Sequence, residues 1–269
     1  MDQNGEWVMV KHEQSMAAAG DVVVSGLDVG KTFAAGTVVA LENANFDIKR
    51  GSFVSLVGPS GCGKSTLLRL VSGLIEPTSG EIEVHGTPVN GPRADISMMF
   101  QKATLLDWRT SLENVLLPTE INGTPSKADK NRALDLLKLV GLEDFAFSFP
   151  AQLSGGMQQR VALARLLQTG ADILLLDEPF GALDEFTREH LNTELMRIVA
   201  EVRATAIFVT HNITEAIFLA DQVVVMTSRP GRMAKIINVD LERPRPLSIQ
   251  TSVEFNKLVE DVRETLGAV

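Results

Sequence analysis

A nine-residue stretch, Gly58-Pro-Ser-Gly-Cys-Gly-Lys-Ser-Thr66, constrains the fold of this chain more than any other feature. It follows the apolar run Phe53–Val57, which is typical of a buried strand, and it leads into a helical pattern over 65–72. Glycines in such a loop let backbone N–H groups converge on phosphate, and the N-terminus of the helix adds its dipole. An ordinary glycine-rich turn is the alternative, but the strand before the loop and the helix after it favour a nucleotide site.

The chemistry of this loop assigns roles to its side chains. Lys64 is predicted to reach the β- and γ-phosphates, and the Ser65 hydroxyl to ligate Mg²⁺. The only cysteine of the chain, Cys62, lies in the same loop, and we expect MgATP to slow its alkylation by a bulky maleimide. The loop residues assigned to ATP are Gly58, Pro59, Ser60, Gly61, Cys62, Gly63, Lys64, Ser65 and Thr66.

From residue 21 onward, short β-branched or apolar runs alternate with helical stretches. Strands that alternate with helices predict an α/β fold with a largely parallel sheet covered on both faces. The middle of the chain, 103–168, shows no strand pattern, and Ser126 followed by Asp129 predicts the start of a helix there. We therefore expect one domain over 21–269, with an inserted helical subdomain at 103–168 and a C-terminal extension at 227–269. Residues 1–20 resemble a flexible leader rather than a targeting signal.

Composition excludes several classes of protein. The longest stretch without a charged residue, 145–159, has 15 residues, fewer than the 20 or so that a membrane span requires. A single cysteine excludes an internal disulfide and suits a reducing compartment. The net charge of −9 gives no basic footprint for nucleic acid.

A second motif, Ile173-Leu-Leu-Leu-Asp-Glu-Pro179, is an apolar strand that ends in two carboxylates. Because side chains alternate along a strand, the two neighbours cannot perform the same task. We assign Asp177 to the metal and Glu178 to the attacking water, as general base. A pair of solvated surface acids is the alternative, and the upstream loop favours the catalytic interpretation.

A third motif, Leu153-Ser-Gly-Gly-Met-Gln-Gln-Arg160, predicts another helix start near an anion. Ser154 can cap the helix, and the two glycines leave N–H groups exposed. Taken alone, such a helix start is common, so it supports a functional interpretation only together with the other motifs.

Together these motifs resemble the nucleotide-binding subunit of ATP-binding cassette (ABC) transporters, over roughly residues 22–230. Further matches are Phe180-Gly-Ala-Leu-Asp184 and Thr210-His211. Finer features are similar to the importer branch for nitrate, sulfonates and taurine, namely Met99-Phe-Gln101, Leu105-Leu-Asp-Trp108, Thr187-Arg188, Ser228-Arg-Pro-Gly231 and Arg243-Pro-Arg245. The resemblance implies a P-loop NTPase core with a mainly parallel sheet, an N-terminal antiparallel β part and the helical insertion.

The resemblance also implies roles for residues outside the three motifs. Gln101 would meet the metal and ATP, although a lone glutamine is usually a surface residue. His211 would contact the γ-phosphate and hold Glu178, the alternative being a histidine that caps the next helix. Asp184 would link two active sites across a dimer. Phe33 would stack on adenine, and a core position is its alternative.

In this family two cassettes pair head to tail, so that Ser154, Gly155, Gly156 and Gln158 would act on the partner's ATP. The resemblance implies further partners: a second ATPase subunit, a separate transmembrane permease that docks on 103–168, and indirectly a periplasmic or lipid-anchored solute-binding protein. It implies a peripheral location on the cytoplasmic side of the membrane and no nucleic acid. Two alternatives remain open: a cassette ATPase that works on nucleic acid, and a regulatory subunit that binds ATP without transport.

Overall fold

Two β-sheets form the framework of the protein. The computed structural model describes residues 22–33, 36–181 and 183–268, and the expected leader, 1–20, lies outside them. The first sheet is antiparallel, in the order β2-β1-β4-β5. Its strands are β1 (Val22–Phe33), β2 (Val38–Lys49), β4 (Ser79–Val84) and β5 (Thr87–Pro88).

The second sheet has the order β10-β9-β3-β8-β7-β6 and is parallel except for the edge strand β10. Its strands are β3 (Phe53–Val57), β6 (Ile96–Met99), β7 (Ile173–Asp177), β8 (Thr205–Val209), β9 (Gln222–Met226) and β10 (Met233–Asn238). The expected mainly parallel sheet with an antiparallel N-terminal part is confirmed. The carboxyl ends of β3, β7 and β8 meet at one edge, where ligands bind in open α/β sheets.

The core lies on both faces of this second sheet. In β3, Phe53 and Val57 pack with the helices of one face, whereas Val54 and Leu56 pack with the first sheet and α1 (Lys64–Val71) on the other. Strict alternation along a fully buried strand explains why β3 reads as a continuous apolar run. The strand is therefore fixed from both sides, and the glycine loop leaves it at a defined point.

Between β6 and β7 the described chain is helical. Three helices, each with a hydroxyl side chain as N-cap, occupy it: α2 (Ser111–Asn122), α3 (Lys127–Leu139) and α4 (Gly155–Gln168). Ser126 and Asp129 form a reciprocal capping box at the start of α3, as the sequence predicted. No helix among the described residues is both long and apolar enough to cross a membrane.

The last part of the chain returns to the sheet. After α5 (Glu185–Val202) and α6 (Ile213–Leu219), the chain adds β9, β10 and α7 (Val253–Gly267). Arg245, only 2% exposed, donates hydrogen bonds to the carbonyls of Ile217, Phe218 and Ala220 at the end of α6. Burial lowers the pKa of its guanidinium to about 10. The hydrogen bonds of Arg245 hold the C-terminal segment against α6.

Candidate nucleotide site

The glycine loop borders a cavity of about 330 Å³ at the carboxyl edge of the parallel sheet. The loop connects β3 with α1, as the sequence predicted. The residues that line the cavity are Phe33, Val38, Ala40, Ser60, Gly61, Cys62, Gly63, Lys64, Ser65, Thr66, Gln101, Glu178 and Arg229. Of the residues assigned to the loop, Gly58 and Pro59 are not among those that line the cavity, and their carbonyls accept from Lys64.

The N-terminus of α1 is left open toward this cavity. Gly63 precedes the helix with φ of 98° and supplies no side-chain cap. A Cβ atom there would lie 2.7 Å from the carbonyl oxygen of Ala40, so only glycine fits. Lys64, 6% exposed, donates from Nζ to the carbonyls of Gly58 and Pro59 at 2.8 and 3.0 Å. Uncapped N–H groups and a lysine thus share one cavity, which suits an anion.

Ser65 and Asp177 come together although 112 residues separate them in the chain. The Ser65 hydroxyl donates to Asp177 Oδ1 at 2.8 Å. Asp177 ends β7 and is buried, and this burial raises the pKa of its carboxyl. A hydroxyl and a carboxylate are the oxygen donors that Mg²⁺ prefers, so the pair fits a magnesium ion.

Glu178 turns away from the strand and meets two other predicted residues. Its φ of 47° is left-handed, and its N–H donates to the Val209 carbonyl of β8 at 3.0 Å. Its Oε2 accepts from Gln101 Nε2 at 3.3 Å and lies 3.4 Å from His211 Nδ1. Such backbone strain is typical of functional sites. A carboxylate, an amide and an imidazole therefore converge beside the phosphate loop.

The loop that carries His211 is held by a residue that sequence reasoning missed. Asn212, not His211, caps α6, so the alternative role of His211 as a helix cap is wrong. Glu215, buried in the first turn, accepts a 2.5 Å hydrogen bond from Thr210 Oγ1. Burial raises the pKa of Glu215. The Asn-x-x-Glu spacing was the available signal for this capped helix start.

Two side chains near the nucleotide loop differ in how well they match expectation. Phe33 is 39% exposed and lines the cavity, so the alternative of a core position is wrong. Cys62 is 1% exposed, with its Sγ 3.6 Å from Lys64 Nζ. The structure contradicts the predicted alkylation of Cys62, because the thiol is buried and not accessible to a bulky maleimide.

The N-terminus of α4 lies apart from this cavity. Ser154 caps the helix by accepting from the N–H of Met157 at 3.3 Å. A Cβ atom at Gly156 would lie 2.6 Å from Leu183, and Gln158 Nε2 donates to the Pro150 carbonyl at 3.0 Å. Ser154 and Gly155 are exposed. Among the described residues that line the cavity, none comes from 154–158.

Asp184 is an N-cap as well. Its Oδ1 accepts from the N–H of Thr187 at 3.0 Å at the start of α5, and this bond lowers the pKa of its carboxyl. Its expected link to a second active site stays a prediction.

Two further contacts at the site escaped the sequence analysis. Gln159 Nε2 of α4 donates to the Gln101 carbonyl at 2.5 Å. Arg229 lines the cavity from the turn after β9. Gln159 stood within a quoted motif and Arg229 within another, yet no spacing rule connects either one with its distant contact.

Comparison with known proteins agrees with this geometry. Residues 41–181 match the family model described as ABC transporter. An ABC transporter ATP-binding protein of Methanocaldococcus jannaschii is 49% identical over 81% of this chain and 80% of its own. The taurine import ATP-binding protein TauB of Rhizobium johnstonii is 45% identical over 86% of this chain and 90% of its own. The aliphatic sulfonates import ATP-binding protein SsuB of Bacillus cereus is 42% identical over 88% and 94%.

Solved structures give the same result. A dimeric ATP-binding cassette in a post-hydrolysis state, bound to ADP and Pi, superimposes with a TM-score of 0.73 at 36% identity. The match covers 81% of this chain and 100% of that one. The chain belongs to the ABC transporter family and is one of its ATP-hydrolysing cassettes.

Proposed function

We propose that this ATPase powers the import of a small solute, such as nitrate, a sulfonate or taurine, through a separate membrane permease. The named activities of the relatives, taurine import and aliphatic sulfonate import, support this solute class. One observation in this chain carries the proposal: a group of exposed aromatic side chains is connected by hydrogen bonds to the catalytic cavity.

The aromatic surface consists of Trp108, Phe147 and Phe149, which are 73%, 75% and 44% exposed. Two segments carry these residues, and backbone hydrogen bonds hold the segments together. The N–H of Ser111 donates to Ser148 O at 2.9 Å, and that of Leu112 donates to Ala146 O at 2.8 Å. Exposed aromatic clusters mark sites of protein association. We assign this surface, within the helical subdomain 103–168, to the permease.

Helix α4 connects the aromatic surface with the cavity. Gln159 donates to the carbonyl of Gln101, whose side chain contacts Glu178. Two turns later, Arg165 donates to the carbonyls of Ala103 and Thr104 at 2.8 and 3.0 Å. The loop from Gln101 to the aromatic surface is therefore attached to α4 at two points. A displacement at the permease would move α4 and Gln101 together.

The chemistry at the cavity follows from the same contacts. Lys64 and the N–H groups of the loop hold the phosphates, and Ser65, Asp177 and Gln101 would hold Mg²⁺, which neutralises phosphate charge. Glu178 takes the proton of the attacking water, and His211 keeps Glu178 in place. Phe33 stacks on adenine. Ser154 and Gly156 of a second copy approach the γ-phosphate, and Gly155 and Gln158 shape that helix start.

The partners of the chain follow from this arrangement. The second cassette is another copy of this chain, and Asp184 communicates between the two sites. The permease places the assembly at the cytoplasmic face of the membrane, and a solute-binding protein outside selects the solute. Nucleic acid has no part in this function.

Co-purification with the permease tests the proposal. The tagged chain is co-expressed with a candidate permease, and the complex is recovered in detergent. We expect the double variant Trp108→Ala/Phe147→Ala to lose the permease while keeping its basal ATPase. Val253→Ala, at another exposed apolar position, is the control and keeps the permease. Unchanged recovery by the double variant would contradict the docking surface, and absence of any complex with the wild type would contradict permease coupling.

A further inference from the structure

The turn after β9 brings an unassigned cation to the nucleotide cavity. Arg229 lines the cavity together with the glycine loop, yet neither the three motifs nor the convergence at Glu178 uses it. We propose that Arg229 is a further nucleotide-binding residue, whose guanidinium engages the phosphate chain of ATP. The proposal rests on the assignment of the glycine loop as the nucleotide site.

The turn is held firmly against both neighbours. The N–H of Gly231 donates to Ala40 O at 3.1 Å, and Gly231 O accepts from the N–H of Glu42 at 3.0 Å. A Cβ atom at Gly231 would lie 1.9 Å from the Cys62 carbonyl oxygen, so the turn touches the underside of the glycine loop. Within the turn, the N–H of Thr227 donates to Arg232 O at 2.9 Å, and the N–H of Arg232 donates to the Thr227 hydroxyl Oγ1 at 2.9 Å. The position of Arg229 next to the loop is therefore built into the fold.

The guanidinium itself has no anionic partner in the described part of the chain. One terminal nitrogen lies 3.7 Å from the point that a Cβ atom would occupy at Gly61, in the middle of the loop. Arg232, three residues later in the same turn, is paired, since it lies 2.8 Å from Glu42. Arg229 is the arginine of this turn that lines the cavity.

Electrostatics decides what this arginine binds. The groups nearest to it are the N–H groups of the loop and the positive end of α1, and the Lys64 ammonium lines the same cavity, with Glu178 as the one carboxylate among the described lining residues. An anion bound at these positive groups would attract the guanidinium, which matches phosphate oxygens with its planar fork. The alternative is that the Arg229 guanidinium stacks on the adenine base. That contact would not depend on the positive groups around Arg229.

Equilibrium binding of two probes tests the proposal. Affinity for a fluorescent ATP analogue is measured, and inorganic tripolyphosphate is used as competitor because it lacks base and sugar. We expect Arg229→Gln to weaken both about tenfold, the low end for hydrogen bonds to a charged group. Arg229→Lys should restore part of the loss. Arg232→Gln removes the same charge from the same turn and should stay within about twofold of wild type.

Lys64→Ala separates the two assignments. If Lys64→Ala loses affinity and Arg229→Gln does not, the role of Arg229 is overturned while the site stands. If Arg229→Gln weakens the ATP analogue but not tripolyphosphate, the arginine contacts the base and the phosphate contact is overturned. Normal affinity of Lys64→Ala for both probes would overturn the nucleotide site and the proposal with it.

Discussion

Two helices of this protein begin at glycines, and their N-termini are built in opposite ways. At α1, Gly63 provides no cap, and Lys64 and Ser65 border a cavity within the chain. At α4, Ser154 caps the helix, and the start of the helix is exposed. The first N-terminus is open toward a ligand in its own chain. The second is already stable and faces outward.

This difference fits the proposed function, in which each N-terminus meets a phosphate held by a different chain. An uncapped N-terminus gains the partner for its N–H groups from the ligand that it binds. A capped N-terminus needs no ligand to be stable, so it can remain exposed until a second molecule brings a ligand to it. The dimeric cassette that this chain resembles is in keeping with such a division of labour.

The largest effect should come from Glu178→Gln, a change that spares both N-termini. The amide fills nearly the same space and still orients water, but it cannot accept a proton, so hydrolysis should fall by about 10²–10⁴-fold. ATP should remain bound between the two N-termini. Phosphate release and size-exclusion chromatography with MgATP should therefore show an inactive protein that accumulates as a dimer, unlike the wild type.

Two results would break this expectation in different ways. Normal hydrolysis by Glu178→Gln would remove the general-base role. An inactive variant that stays monomeric would spare that role, and would show that the α4 N-terminus needs the membrane partner to meet the second cassette.

A smaller effect, confined to one N-terminus, should follow Ser154→Arg. Hydrolysis should fall by about 10²–10³-fold, as for the loss of a donor to developing charge, while ATP affinity of the monomer stays unchanged. Ser154→Asp keeps the cap but repels phosphate, so it should lose hydrolysis without loss of Tm. Ser126→Arg removes the exposed cap of α3 and controls for helix fraying; it should lower Tm by about 2–4 °C and keep hydrolysis. If the monomeric Ser154 variants lost ATP affinity as strongly as they lost hydrolysis, the result would contradict action on a partner's nucleotide.

The smallest effect is a change in melting temperature, caused by the buried carboxylate that lies beside α1. Asp177 is buried beside Ser65, and its raised pKa means that folding disfavours its ionised form. Asp177→Asn keeps the contact with Ser65 and removes the charge, so Tm at neutral pH should rise by about 2–4 °C.

The pH dependence gives the sign of this effect. Because the pKa of Asp177 is raised in the fold, its contribution to stability is complete below its ordinary pKa and is lost as pH rises through the raised value. The variant and the wild type should therefore melt alike in acid and diverge toward neutral pH. Asp172→Asn, at an exposed position immediately before β7, should leave Tm unchanged. A lower Tm for Asp177→Asn would contradict the buried-charge interpretation.

Local patterns account for what the sequence predicted well. The apolar run of β3, the Ser126 cap and the acids at the end of β7 all depend on spacings of a few residues. Such spacings follow from the periods of strand and helix. Local spacing of this kind is enough to predict the elements and most residues of the candidate site.

Contacts between distant segments account for what the sequence did not predict. The bond from Gln159 to Gln101 joins residues that are 58 positions apart in the chain. The strand order of the parallel sheet and the approach of Arg229 to Gly61 likewise depend on contacts between distant segments. The burial of Cys62 depends on β3 and on the turn after β9 at the same time. The periodicity of the sequence does not predict these contacts, because they depend on how the layers pack.

The buried Arg245 has a consequence for how the protein is made. It follows every residue of the nucleotide site in the chain, and it supplies hydrogen bonds to three carbonyls at the end of α6, the helix that begins just after His211. During synthesis, the N-terminal part of the chain leaves the ribosome first. The phosphate loop, β3 and α1 leave the ribosome long before the arginine does. The helix behind His211 is therefore the last part of the site to gain its stabilising contacts on the nascent chain.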